Sequence, residues 1–196
     1  MKSIHALLIA TALLGGCKKA DPNAGGPNTG KGAMAKEMLG GFLKPGADPA
    51  ALSTALRPKA EDYAAVFVGD AATKMKTGID PLWDSGKLVL KPPADQTEIV
   101  VIGAAQGELS KGEGAAQACP GGYKDIAGKI QPTIVVYCAR FVKPGEKHGT
   151  SVDGLVFVNG HWALFPKPWR IIGDKAGPAP GAPAPTAPAP GPAPAP

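Results

Sequence analysis

Few residues in this chain could do chemistry: three cysteines, Cys17, Cys119 and Cys138, and three histidines, of which His148 and His161 lie beyond the first segment. A metal centre needs several His, Cys or carboxylate ligands converging on one point. The sequence has no His-x-His and no Cys-x-x-Cys, and His148 and His161 fall at opposite ends of one predicted hairpin. No metal is expected. A nucleophile needs a base within reach. Cys119 precedes Pro120-Gly121-Gly122, where a helix N-terminus would lower its pKa, but no histidine is placed beside it. There is no Gly-x-Ser-x-Gly elbow, and Ser151 near Asp153 simply opens a strand. Glu61-Asp62 opens a helix, where acids suit the dipole, and Asp80 and Asp84 share a helix face around Pro81. Gly25-Gly26 and Gly121-Gly122 lack the lysine and hydroxyl of a phosphate loop. No catalytic residue, cofactor or enzymatic activity is therefore assigned. An enzyme built on Cys119 or His161 remains the alternative.

The elements that must position these groups fall into two halves. Met34, Met38, Leu39, Phe42 and Leu43 recur at helical spacing and stop before Lys44-Pro45-Gly46. Asp48-Pro49 opens a second helix, the aspartate capping and the proline at the first helical position. Further helices run through Tyr63, Val66 and Phe67, and through Met75, Ile79 and Trp83. After Gly86 the pattern turns to strands: a short one at 87–90, a stronger one at 97–105, a long one at 133–142 and a return at 152–158. The Gly-rich stretch 107–114 reads as a loop, and a short helix spans about 123–130. Asn159-Gly160 is a two-residue hairpin turn, because both residues accept positive φ. It pairs Val158 with His161, Phe157 with Trp162, Val156 with Ala163 and Leu155 with Leu164. The face with Leu155, Phe157, Trp162 and Leu164 is expected to be core. The face with Val156, Val158 and Ala163 is also apolar and must be covered, or else hold a small apolar ligand, with Tyr137 or His161 at the mouth of the pocket. The fold class is α+β, with N-terminal helices packed on a curved antiparallel sheet. The element order over 47–172, ending in Asn159-Gly160-His161-Trp162, is similar to the NTF2-like cone fold. That resemblance implies a pocket scaffold and no particular function.

The first nineteen residues indicate a location. Lys2 precedes an apolar run, Ile4 to Leu14, interrupted only by His5 and Thr11, and small residues lead into Cys17. Such a run is a secretory signal, too short to span a bilayer permanently. Leu14-Gly15-Gly16-Cys17 resembles the lipobox of bacterial lipoproteins. The resemblance implies cleavage before Cys17 and a diacylglyceryl group on its thiol. In the Gram-negative members it resembles, an aspartate after the cysteine favours the inner membrane. Lys18 here implies the outer membrane, facing the periplasm or the cell surface. The bilayer, engaged through acylated Cys17, is then the first partner, and an envelope protein or the cell wall the second.

With Cys17 given to lipid, Cys119 and Cys138 form an even pair in a compartment that permits disulfides. The expected organisation is a signal at 1–16, an acylated flexible tether at 17–32, one α+β domain at 33–175 and an Ala/Pro-rich disordered tail at 176–196. The net charge of +5 is scattered, with no Arg-rich run, so nucleic acid is not an expected partner. The tail carries no charge and leans toward polyproline II as a passive spacer. Taken together, these features suggest a non-enzymatic, membrane-anchored binding or scaffolding module. A small apolar ligand-binding protein is the runner-up.

Overall fold

A computed structural model describes residues 30–174. The signal, Cys17, most of the tether and the Ala/Pro tail lie outside the described residues. The chain is α+β, with helices surrounding a curved, unclosed four-stranded antiparallel sheet. Four helices come first: α1 (Lys31–Gly40), α2 (Pro49–Thr54), α3 (Ala60–Val66) and α4 (Asp70–Asp84). Then follow β1 (Glu98–Ala105), α5 (Gln106–Lys111), α6 (Gly122–Ile126), β2 (Val135–Val142), β3 (Gly149–Val158), β4 (His161–Leu164) and α7 (Trp169–Ile172). The strands lie in sequence order β1-β2-β3-β4, each antiparallel to its neighbour.

Local chemistry accounts for several boundaries. Asp48 Oδ1 accepts from the N–H groups of Ala50 and Ala51 at 2.9 and 3.1 Å, with Pro49 at the first helical position of α2. Both are groups a helix start would otherwise leave unpaired. Asn159 (φ 48°) and Gly160 (φ 81°) form the expected turn. The β3–β4 register is Val158 with His161, Phe157 with Trp162, Val156 with Ala163 and Leu155 with Leu164.

Three expectations need correcting. The stretch 87–90 is not a strand: Ser53 Oγ takes the N–H of Leu90 at 2.8 Å, and Pro92-Pro93 carry no donors with which to continue a ladder. Part of the Gly-rich stretch is α5. Glu108 Oε2 accepts from the N–H of Ala105 at 2.9 Å, Leu109 is buried, and Gly112 ends the helix at φ 71°. Helix α1 opens at Lys31, so the last residues assigned to the tether belong to the folded unit, with Gly32 buried.

Both faces of the sheet are covered. Tyr137, Leu155 and Leu164 share one face, and Phe42 meets Phe141 edge-on there at 6.3 Å between ring centroids. Val136, Val156 and Ala163 share the other, beneath Val66, Phe67, Tyr123, Ile130, Phe165 and Pro168. Phe165 anchors that layer, packing edge-on against Tyr63 at 5.4 Å and Phe67 at 5.1 Å. Every β2 residue except Arg140 is buried, as expected for a strand with helices on both sides.

Cys119 and Cys138 are disulfide-bonded, 5.5 Å apart at Cα and 19 residues apart in sequence. The bond ties the segment before α6 to β2. Arg140 Nη2 reinforces it by donating to the Ala118 carbonyl at 2.7 Å. Removing the bond with paired Cys119→Ser and Cys138→Ser changes is expected to lower stability by about 3 kcal/mol, following loop-closure entropy. Urea denaturation of the pair against wild type measures this.

Candidate functional site

Two features around the β3–β4 turn stand out, and of their residues the sequence named only His161 as a site candidate. The first is a buried carboxylate. Asp62, in the first turn of α3, is fully buried. Its Oδ2 accepts from the Lys59 N–H at 2.6 Å and lies 2.9 Å from His161 Nε2. Its Oδ1 accepts from Asn159 Nδ2 at 2.8 Å. One side chain therefore locks the start of α3 to both sides of the hairpin turn. Burying a carboxylate is costly unless donors surround it, and here three do.

The second feature is a groove of about 380 Å³ between the N-terminal helices and the hairpin. Met34 and Met38 of α1 and Leu52 of α2 form one side, and Phe157 and Trp162 the other, with His161 at its edge. Phe157 and Trp162 pack edge-on at 5.2 Å, and Lys31 Nζ sits 3.5 Å from the centroid of the Phe157 ring. Met34 is 45% exposed, which leaves the groove open to solvent along α1. Its volume lies toward the lower end of the roughly 300–1,000 Å³ usual for small-molecule sites.

The concavity is on the sheet face expected to be core. Leu155 and Leu164 are buried there as expected, but Phe157 and Trp162 are only half-buried because they line the groove. The face expected to hold a pocket is sealed: Val156, Val158 and Ala163 are buried, and the void beside Val156 is about 10 Å³. That is room for no more than about one water.

The two pocket candidates do not share a mouth. Tyr137 is buried on the groove-side face, edge-on to Trp162 at 5.2 Å, and its hydroxyl has no hydrogen-bond partner among the described residues. Burial pushes its pKa up to about 12. His161 belongs to the opposite face by register, and reaches the end of the groove from the strand's first position. Among the described residues it bonds Asp62 and, more weakly, the Asn159 carbonyl at 3.4 Å. The arrangement orients an imidazole with a carboxylate, the base and carboxylate members of a nucleophile–base–carboxylate relay, but among the described residues no hydroxyl or thiol is hydrogen-bonded to the ring. Cys119 is held in the disulfide, and His148 lies exposed before β3. Cys17 lies outside the described residues. Among the described residues no group of His, Cys, Asp and Glu side chains could hold a metal, and no helix is long and apolar enough to cross a membrane.

Two further acids, Asp80 half-buried and Asp153 buried, explain themselves structurally. Burial opposes ionisation of Asp80, but hydrogen bonds from Lys76 and the Tyr63 hydroxyl outweigh it and hold the carboxyl below its usual range. Asp153 is the reverse case. Burial raises its pKa, and Lys167 and Arg140 offset this only in part. A carboxyl whose folded pKa is raised contributes stability that is fully present below the unfolded value, near 3.9, and is lost as pH rises through the folded value. Asp153→Asn is therefore expected to match wild type at pH 3 and to be the more stable of the two at pH 7. Urea midpoints at the two pH values check the sign.

Comparison with family models, with curated proteins and with solved structures finds no match to this chain.

Proposed function

We propose that this protein is a lipid-anchored bacterial envelope module that binds an apolar chain rather than transforming a substrate. The observation that carries the reading is the open groove bounded by Met34, Met38, Leu52, Phe157 and Trp162. Methionines adapt to hydrocarbon of varied shape, and flat aromatic rings supply contact area at little entropic cost. The Leu14-Gly15-Gly16-Cys17 segment supports the location, through acyl chains that hold a protein to the bilayer when two or more are present. Lys18 favours the outer membrane. An envelope protein or cell-wall component is a further partner of such a module.

The test uses the mature chain, residues 17–196 with Cys17→Ser, titrated with a fluorescent fatty acid. Saturable binding is expected, together with a change in tryptophan emission that Trp162→Ala abolishes. Non-saturable partitioning, unchanged by Trp162→Ala, would overturn the reading. Intact mass of the full chain extracted from membranes tests the location separately. Loss of residues 1–16 with added acyl mass is expected, and an uncleaved N-terminus or an unmodified Cys17 would sink it.

A reading as an enzyme rests on His161, which Asp62 orients. His161→Gln in the same chain should leave fatty-acid affinity within about threefold if the groove only binds.

A further inference from the structure

We infer that one of the acyl chains carried by Cys17 lies in the groove between α1–α2 and the β3–β4 hairpin. The inference rests on the reading of Cys17 as acylated and adds an occupant to the groove.

The first argument is the chemistry of the lining. Met34, Met38, Leu52, Phe157 and Trp162 present hydrocarbon, thioether and aromatic surface. The polar side chain at the edge, His161, already gives its Nε2 to Asp62 at 2.9 Å. An extended peptide laid in such a groove would bury backbone N–H and C=O groups with nothing to pair them, at a cost of roughly 1–3 kcal/mol each. The Ala/Pro tail would bring unpaired carbonyls in the same way. A hydrocarbon chain has no polar group to leave unsatisfied, and each methylene buried contributes about 0.8 kcal/mol.

The second argument is position. Helix α1 is itself a wall of the groove, and the chain enters α1 at Gly30–Lys31, where the Lys31 ammonium lies over the Phe157 ring. The chain leading back to Cys17 therefore starts at the rim. Residues 17–29 number thirteen. A chain of that length reaches about 45 Å at full stretch, so acyl groups on Cys17 are within reach of the groove. A tethered chain of this length holds its acyl groups at millimolar-range effective concentration near the groove, well above what a free lipid monomer in water would supply.

The consequence is competition between bilayer and groove for the same acyl chains. An anchor with one chain withdrawn into the protein binds the membrane less firmly, because each chain contributes separately to retention.

The test labels the anchor in place. Cells expressing the full chain are fed a diazirine-bearing fatty acid. The protein is then reconstituted at one copy per nanodisc and irradiated, and intact mass and cross-linked peptides are read. The expected result is a covalent link between the Cys17 peptide and the peptides carrying Met34, Met38 or Trp162. It should fall at least tenfold in Ala55→Phe, which fills the groove from an exposed position at the end of α2. Acyl mass on Cys17 with links only to bilayer lipid overturns the inference while leaving the anchor intact. Free-lipid adducts on the groove peptides without the Cys17 link overturn it in favour of a bilayer lipid as occupant, as does a Cys17 link indifferent to Ala55→Phe. Absence of acyl mass on Cys17 overturns both the anchor and this occupant.

Discussion

Asp62→Ala is expected to lower unfolding free energy by about 3 kcal/mol, because it removes three hydrogen bonds to a carboxylate, each worth roughly 1.5–3 kcal/mol before water re-pairs the donors. Three donors would lose their acceptor at once: the Lys59 N–H, Asn159 Nδ2 and His161 Nε2, the last two nearly a hundred residues away in sequence. The loss should show as a shifted urea midpoint with little change in slope, because the core beneath α3 is otherwise unchanged. His161→Ala should cost less than Asp62→Ala, since the carboxylate keeps two of its three donors. A double-mutant cycle between positions 62 and 161 isolates the pairwise coupling. A cycle energy near zero would mean that the pair merely coexists and that the caps hold the carboxylate. Because Asn159 lies in the turn that shapes the end of the groove and His161 directly follows it, Asp62→Ala should also weaken fatty-acid binding at temperatures where the protein is still folded.

Gly154→Ala is expected to be the most damaging glycine change. Gly154 sits at φ 91° where the β2–β3 register shifts, and an added Cβ would overlap the Phe165 carbonyl oxygen. The Gly154 carbonyl accepts the Phe165 N–H at 2.9 Å, so the two backbones cannot separate without losing that bond. Phe165 in turn packs on Tyr63 and Phe67. Strain at positive φ, a main-chain clash and a displaced aromatic ring together should exceed about 4 kcal/mol, beyond the ordinary range for a single substitution. Soluble yield and thermal midpoint against wild type decide the matter. Gly128→Ala is the matched control, because nothing lies near its added Cβ.

How much of this was legible in the sequence depended on how local the causes were. Asn159-Gly160 set its own hairpin register because the turn alone imposes it, and Asp48-Pro49 set the start of α2 through its own side chain. Residues 87–90 have strand-like composition, but the group that claims the Leu90 N–H is Ser53, 37 residues earlier. Helix α5 was hidden because Gly107 within it lowers helix propensity and Gly112 and Gly114 follow at once, while a glutamate cap and one buried leucine supply enough to hold six residues. The groove was sought on the wrong face for a related reason. Both faces of the hairpin are apolar, so alternation could not rank them. What decides is where α1 and α2 stop short and leave Phe157 and Trp162 half-covered. Asp62 read as an ordinary acid in a helix's first turn, since neither of its distant partners leaves a mark in the residues around it. The Cys119–Cys138 pairing emerged from counting cysteines.

The ends of the described chain leave from opposite sides of the sheet. Helix α1 lies over the Phe157 and Trp162 side, whereas α7 lies with Tyr123 on the other, where Lys129 ties it down by donating to the Ile172 carbonyl and pairing with Asp174. Were the N-terminus held at a membrane as proposed, tension between it and the body of the protein would run through the thickness of the layers instead of along the ladder of strands. Buried Ala35 and Leu39 and the Lys31–Phe157 contact hold α1 to the sheet, so it is the layer that peels first under load. A pull on the N-terminal side of α1 would unroof the groove and leave β2, stapled by its disulfide, undisturbed.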